Sequence, residues 1–172
     1  GGALLGPRGL SREAGAVRVP GSWLPLAMMM GIFAAKFALG FARQIGDIGA
    51  VRVTGLDGCD YWDKVGGSVL RKQVGAISFS GETDRVYINT AAECVIEDDK
   101  LKRRIHVAKS GSLSTVVWTP WTEKAGKMGD MGQPDGWREM LCVESANAID
   151  NAVQVAAGTR HTLTVEYRAE SL

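Results

Sequence analysis

The stretch HTLTVEYR, at residues 161–168, decides the fold class. Its odd-numbered positions are His161, Leu163, Val165 and Tyr167, and each is followed by a polar or charged residue. A period of two puts the two sets on opposite faces of an extended chain, which is typical of a strand with one solvent-facing side. The segment therefore predicts a β-strand.

Short segments that favour strands recur from residue 50 onward. They are AVRVTGL (50–56), AISFS (76–80), VYIN (86–89), CVIE (94–97), RIHVA (104–108), STVVW (114–118), EMLCV (139–143) and AVQV (152–155). Turn residues separate them, among them Asp57-Gly58 and an expected exposed turn at 98–100, and no helical stripe lies between them. The pattern predicts an all-β fold, a sandwich or barrel, with any helix within residues 1–46 or 122–138.

Composition and charge exclude some classes of protein and suggest a boundary. Hydrophobic residues make up 45% of the 172 and charged residues 23%, an ordinary globular balance. The net charge of +1 gives no support for a nucleic-acid partner. Residues 1–46 nevertheless carry five basic side chains against one acid, whereas residues 47–172 carry fifteen against eighteen. This asymmetry predicts two parts, 1–46 and 47–172.

The first part contains an apolar run, WLPLAMMMGIFAA at residues 23–35. A helix needs about 20 apolar residues to cross a bilayer, so this run is too short and no membrane partner is expected. The chain begins with Gly, which indicates processing or an internal start. A transit or signal segment and an artefact of the gene assignment both remain open for residues 1–46.

The three cysteines, Cys59, Cys94 and Cys142, have neither metal-like nor redox-like spacing. We expect them to be reduced, with Cys142 buried, in an intracellular protein. No metal site is predicted. The cytoplasm is the expected compartment, and a plastid is the alternative if the basic first part is a transit segment.

A set of ordered strings carries a family resemblance. The strings are VRVTGLDG (51–58), Tyr61 with DKV (63–65), GETDRVYIN (81–89), KSG (109–111), VVWTPW (116–121), Lys124-Ala125, Met128, Gly132, MLCVESAN (140–147) and DNAV (150–153). Together they resemble the hexose-6-phosphate 1-epimerases of the aldose 1-epimerase superfamily. The resemblance covers about residue 47 to the C-terminus. It implies the C-terminal half of a galactose-mutarotase-like supersandwich of antiparallel sheets, with a sugar cleft on one concave face.

The resemblance also implies a reaction, the interconversion of the α and β anomers of glucose 6-phosphate or a related hexose phosphate. A base takes the proton of the anomeric hydroxyl and an acid protonates the ring oxygen, so the ring opens and closes on the other face. The partner is a hexose 6-phosphate, no metal or organic cofactor is required, and a monomer is expected.

Two carboxylates match functional positions of that family. Glu144 matches the general base, and its apolar neighbours on the strand predict partial desolvation and a raised pKa. The alternative is a strand glutamate that faces solvent. Asp84 matches the aspartate that binds sugar hydroxyls, and the alternative is a turn residue paired with Arg85.

Other polar and aromatic residues have simpler interpretations. Trp118 and Trp121 flank Pro120, and core packing is favoured over a role for one of them in the cleft. His106 does not coincide with the family's catalytic histidine and is expected to be an ordinary strand residue. The run Lys102-Arg103-Arg104 predicts a solvated turn, with a phosphate contact as the alternative.

One catalytic position departs from the family pattern. The family's general acid is a histidine in a string like Ala-Leu-His, a few residues before an Asp-Ile pair. Here Asp47-Ile48 follows Ala38-Leu39-Gly40, so Gly40 occupies that position and carries no proton donor. Two hypotheses follow: an epimerase that is complete only with further sequence or works slowly through Glu144, or a truncated, inactive homologue that at most binds a carbohydrate phosphate.

Overall fold

The computed structural model describes residues 11–13, 16–18, 45–129, 131 and 135–172. Contacts divide the chain into two units, Gly1–Arg43 and Gln44–Leu172. In the first unit, β1 (Ser11–Glu13) pairs antiparallel with β2 (Ala16–Arg18). The apolar run at residues 23–35 and Gly40 lie outside the described residues.

The second unit contains two five-stranded antiparallel sheets. The sheet that we call the front sheet has the order β11-β10-β7-β4-β5. Its strands are β4 (Asp60–Asp63), β5 (Val69–Lys72), β7 (Thr83–Tyr87), β10 (Ser114–Thr119) and β11 (Cys142–Ala146).

The second sheet, which we call the back sheet, has the order β12-β9-β8-β3-β6. Its strands are β3 (Val51–Thr54), β6 (Ile77–Ser78), β8 (Cys94–Asp98), β9 (Arg103–Ser110) and β12 (Thr164–Ser171). The predicted all-β class with antiparallel sheets is confirmed.

One side of each sheet faces a shared core. Buried residues alternate with less buried ones along β8 and β9, and they include Ile96 and Ile105, which pair across the two strands. From the front sheet, Val117 and Tyr87 are fully buried in the same hydrophobic cluster. Burial of a large aliphatic side chain stabilises a fold by about 1.5–3 kcal/mol, so this alternation fixes which side of each strand faces inward.

A buried carboxylate secures the beginning of the second unit. Asp98 is fully buried at the end of β8, and its oxygens accept hydrogen bonds from the backbone N–H groups of Gly46 (2.9 Å) and Leu101 (3.0 Å). The expected exposed turn at 98–100 is therefore wrong for its first residue. A buried carboxylate needs such donors, because burying an unpaired charge is costly.

Several element boundaries differ from the prediction. β4 and β5 were not predicted, residues 152–155 form no strand, and the strand expected at 139–143 begins at Cys142. The expected helical region holds α1 (Trp121–Ala125) and a 3-10 turn, Gly136–Glu139, but further 3-10 turns occur at Ile48–Ala50 and Ile149–Asn151. β5 is an exposed edge strand, so its sequence lacks the apolar alternation that burial imposes.

No helix among the described residues is long and apolar enough to cross a membrane. The longest that they contain is α1, with five residues. The compartment stays a prediction.

Candidate functional site

The outer side of the front sheet brings the two candidate carboxylates together. Residues directly opposite each other in an antiparallel pair project to the same face. Glu144 is opposite Val116, which is opposite Val86, which in turn is opposite Trp62. These four residues form one row across four strands.

A second row contains Asp84. Trp118 is opposite Asp84 on one side and Cys142 on the other. Cys142 lies two residues before Glu144 on β11, and Asp84 lies two residues before Val86 on β7, so both rows project to one face. We call the face formed by the two rows the front face. Strand spacing and rise put the α-carbons of Glu144 and Asp84 about 12 Å apart on it.

The other side of the same strands faces the core. Val143, Val117, Tyr87 and Tyr61 are buried there, between the front-face residues in sequence. Strand alternation therefore puts the side chains of the two rows on the front face, where Glu144 is exposed, Val86 is buried and the other members are half-buried.

Glu144 lies on β11 with an exposed side chain. The expected partial desolvation is wrong in this structure, because alternation turns the apolar neighbour Val143 to the opposite face. Glu144 accepts a hydrogen bond from the thiol of half-buried Cys142. Burial, followed by the charge and hydrogen bond of Glu144, raises the pKa of the Cys142 thiol to about 12. The cysteine that is fully buried is Cys94, not Cys142 as expected.

Asp84 lies near the start of β7 and is half-buried. Its carboxylate makes no hydrogen bond or ion pair with another described residue. Arg85 projects to the other side, where it donates to Gln73 Oε1 at 3.3 Å and lies 5.0 Å from the ring centroid of Tyr61. The alternative of a turn residue paired with Arg85 is therefore wrong, and the carboxylate has unused hydrogen-bonding capacity toward the front face.

The two flanking tryptophans have different surroundings. Trp121 packs on Trp137, with ring centroids 4.8 Å apart, and contacts the core cluster, as predicted. Trp118 instead lies on the front face beside Asp84, and the Lys124 ammonium is 5.8 Å from its ring centroid. Lys124 also forms an ion pair with Glu82 at 2.8 Å. An indole next to carboxylates offers a flat apolar surface for the C–H face of a sugar.

Sequence reasoning missed a further front-face residue, Trp62. Its indole Nε1 donates to Asp150 Oδ2 at 2.9 Å. The neighbouring Asn151 donates to Asn89 Oδ1 and accepts from the Asn89 backbone N–H, both at 2.9 Å, which holds the turn after β11 against the end of β7. The sequence signal for Trp62 is that it directly follows Tyr61, since neighbouring residues of a strand project to opposite sides. In the structure only Tyr61 of the two is buried.

The remaining candidates lie on the back sheet. His106 alternates with two buried residues on β9, as predicted, and its ring contacts Glu93 and Glu170. Arg103 and Arg104 lie in the same strand and form ion pairs with Asp98 (3.7 Å) and Glu97 (3.3 Å). Only Lys102 of the basic run lies in an exposed turn, and none of the three is on the front face.

A cavity of about 200 Å³ opens on the outer side of the back sheet. It is lined by Glu93, His106, Ala108, Glu166 and Arg168. It contains none of the matched family positions, so it is not the candidate site. Among the described residues, no group of three or more potential ligands is arranged to hold a metal ion.

The fold and the site define a class: an antiparallel β-sandwich with carboxylates and indoles together on the outer side of one sheet. The aldose 1-epimerase family matches residues 36–168, and the chain belongs to that family. The match begins before Gly40 and ends within β12, so it includes both carboxylates of the front face.

Three curated relatives share the name "Putative glucose-6-phosphate 1-epimerase". The protein from Cenchrus ciliaris is 35% identical over 127 residues, which are 73% of this chain and 38% of the relative. Those from Salmonella typhimurium and Escherichia coli are 40% and 38% identical, and each match covers 69% of this chain and 40% of the relative. The chain thus spans about two fifths of the length of these relatives.

Two solved structures have a similar fold. A crystal structure of a "putative mutarotase" from Salmonella typhimurium is 39% identical with a TM-score of 0.56, covering 59% of this chain and 34% of that one. The crystal structure of HI1317 is 23% identical with a TM-score of 0.58, covering 74% and 43%. The second likeness concerns the fold alone.

Proposed function

We propose that the front face belongs to a hexose-6-phosphate 1-epimerase that interconverts the α and β anomers of glucose 6-phosphate by acid/base ring opening. Glu144 is the general base in this proposal, and Asp84 holds sugar hydroxyl groups. The observation that carries it is the position of both carboxylates on one face of the front sheet, 60 residues apart in sequence. The name of the curated relatives supplies the substrate.

The front-face side chains have different roles in the proposed reaction. Glu144 takes the proton of the anomeric hydroxyl, for which its carboxylate must come within about 2.6–3.2 Å of that oxygen. Asp84 accepts hydrogen bonds from hydroxyl groups farther along the ring. Val116 and Trp118 lie between the two carboxylates in the strand order and provide an apolar floor for the sugar.

The ring oxygen must also receive a proton, and Gly40 has no group that can donate it. Water then takes the place of the acid. One positioned acid or base contributes about 10²–10⁴-fold to a rate. The rate of anomerisation with this chain should therefore be lower, by about that factor, than the rate with an enzyme that has both the acid and the base.

Because Gly40 provides no general acid, a second candidate function is sugar-phosphate binding without catalysis. In it the front face binds a hexose 6-phosphate without accelerating its anomerisation. Glu144 and Asp84 then act only as hydrogen-bond acceptors for the sugar. Binding and rate must therefore be measured on the same samples.

Exchange spectroscopy by NMR separates the two functions. We expect the 172-residue chain to bind glucose 6-phosphate, seen by saturation transfer, and to exchange its anomers little faster than buffer. Glu144→Gln should remove whatever acceleration there is, Asp84→Asn should weaken binding, and Gly40→His should restore the rate in part.

Matched controls carry the same chemical changes away from the front face. Glu139→Gln is in an exposed 3-10 turn, and Asp99→Asn is at the exposed tip of β8. Both should leave binding and exchange unchanged. Acceleration that survives Glu144→Gln would show that the wrong base is assigned, and absence of both binding and acceleration would reject both functions.

A further inference from the structure

Strand β12 forms one edge of the back sheet. Its eight residues pair with β9 on one side, and among the described residues no strand pairs with the other side. Every residue of β12 except Val165 is exposed. An exposed edge of this length presents a row of backbone donors and acceptors that a second strand can use.

The direction of those backbone groups follows from one hydrogen bond. The Leu172 N–H donates to Lys102 O at 2.9 Å, in register with the pairs from Thr164–Ser110 to Ser171–Arg103. Backbone groups alternate between the two sides of a strand. Even-numbered residues of β12 therefore bond to β9, and the N–H and C=O groups of Val165, Tyr167, Ala169 and Ser171 point outward.

We propose that β12 pairs antiparallel with β12 of a second copy of this chain, in a register centred on Tyr167. Tyr167 is then opposite Tyr167 of the second copy, and Val165 is opposite Ala169. These odd-numbered residues are the ones whose backbone groups point outward, so each opposed pair exchanges two hydrogen bonds. The two back sheets become one continuous sheet.

Charge complementarity selects this register. With Tyr167 at the centre, Glu166 is opposite Arg168 of the second copy, and the pair occurs twice. A register centred on Glu166 puts that carboxylate opposite itself, and one centred on Arg168 opposes two guanidinium groups. Directly opposed unlike charges stabilise a strand pair, and like charges destabilise it.

The exposed tyrosine is consistent with such a contact. Tyr167 is opposite buried Val107 on β9, so it projects to the core side of the sheet, yet it is 51% exposed. Beside a second Tyr167 the ring would lose part of that exposure, and aromatic cross-strand pairs are among the stabilising contacts of an antiparallel sheet. Because each copy uses the same strand, the contact is isologous and closes at two copies.

Size-exclusion chromatography with light scattering tests the proposal. An edge-to-edge contact of this size is weak, so the full chain is measured over a concentration series up to about 200 µM. We expect a shift from one copy to two with rising concentration. A mass of one copy over the whole range, or assemblies larger than two, would overturn the proposal.

Charge reversal tests the register. Glu166→Arg and Arg168→Glu each create like-charge pairs and should each abolish the dimer. A mixture of the two variants should restore it, because the two introduced side chains, of unlike charge, then face each other, and the two unchanged side chains do so as well. Glu123→Arg, an exposed change on α1, should leave the dimer intact. Dimers in each single variant that match the unmodified chain would rule out this register.

Arg168→Glu needs a second variant beside it, because Arg168 also has contacts within its own chain. Arg168 also contacts Glu93 (3.6 Å) and His106 (3.1 Å) within the chain, so Arg168→Glu can weaken the fold itself. Ala169→Pro removes an outward N–H and leaves the bonds to β9 in place, since proline is tolerated at such edge positions. With the far-ultraviolet circular dichroism unchanged, Ala169→Pro should be monomeric, and a dimer of this variant would contradict the proposed pairing.

Discussion

At the scale of the residue, the contact between Cys142 and Glu144 connects a thiol with the proposed general base. Strand alternation brings residues two apart to the same side, so the thiol and the carboxylate meet without any long-range contact. Burial raises the pKa of the Cys142 thiol, and the charge and hydrogen bond of Glu144 raise it further, to about 12. The thiol therefore reports on the proposed base independently of any sugar.

This contact gives a prediction about thiol reactivity. Glu144→Gln removes the carboxylate charge, so the pKa of Cys142 should fall, although burial keeps it above the usual range. The thiolate is the reactive form. At a pH below the pKa, lowering the pKa by one raises the fraction of thiolate about tenfold. We expect faster alkylation of Cys142 by iodoacetamide in the variant at about pH 8 to 9, followed by mass spectrometry of the peptides.

Cys94 is the internal control for that experiment. Its pKa is raised to about 11, chiefly by burial in the core, and Glu144 is not among the causes. Its alkylation rate should be the same in both proteins. A Cys142 rate that does not change, or a parallel change at Cys94, would show that Glu144 does not act on the thiol directly.

At the scale of the element, two turn glycines share a positive φ, but only one of them lies close to the backbone of another segment. Gly111 follows β9 with φ +68°, and a Cβ there would lie 1.9 Å from the carbonyl oxygen of Thr162. Gly58 follows β3 with φ +75° and has no atom within 4 Å of that position. Both glycines meet the need for positive φ, and only Gly111 also admits a neighbouring segment that leads into β12.

Substitution by alanine should therefore have unequal costs. Gly58→Ala should lower the free energy of unfolding by about 1–2 kcal/mol, the cost of a left-handed conformation for an L-residue. Gly111→Ala should cost about 2 kcal/mol or more beyond that, because the Thr162 backbone must move. Urea unfolding of the two variants measures the difference. Equal costs would show that the close approach is not maintained in solution.

At the scale of the whole molecule, apolar side chains remain on the surface of the second unit. Val74 is 85% exposed, Val155 53%, and Leu70 and Val65 50% each. The edges β5 and β12 are also uncovered by other described strands. Exposed apolar area and open edges leave part of the hydrophobic stabilisation unused and favour association.

The expected consequence is low stability. We predict that the 172-residue chain unfolds below about 60 °C, the upper end for mesophilic domains. Calorimetry at several concentrations is the measurement, because dimer formation through β12 would raise the Tm with concentration. A cooperative transition of a monomer above that temperature would contradict the prediction.

The sequence by itself determined the β class, the place of His106 as an ordinary strand residue, and the family. These features are local: alternation depends on neighbouring residues, and the family strings can be compared one by one. Only the tertiary structure decided that β4 and β5 are strands, that Glu144 is exposed, and that Trp118 and Trp121 project to different sides. It also decided that Glu144 and Asp84 share a face, because that depends on which strands pair and in what register. Register is set by contacts between residues far apart in the chain, and no single segment contains that information.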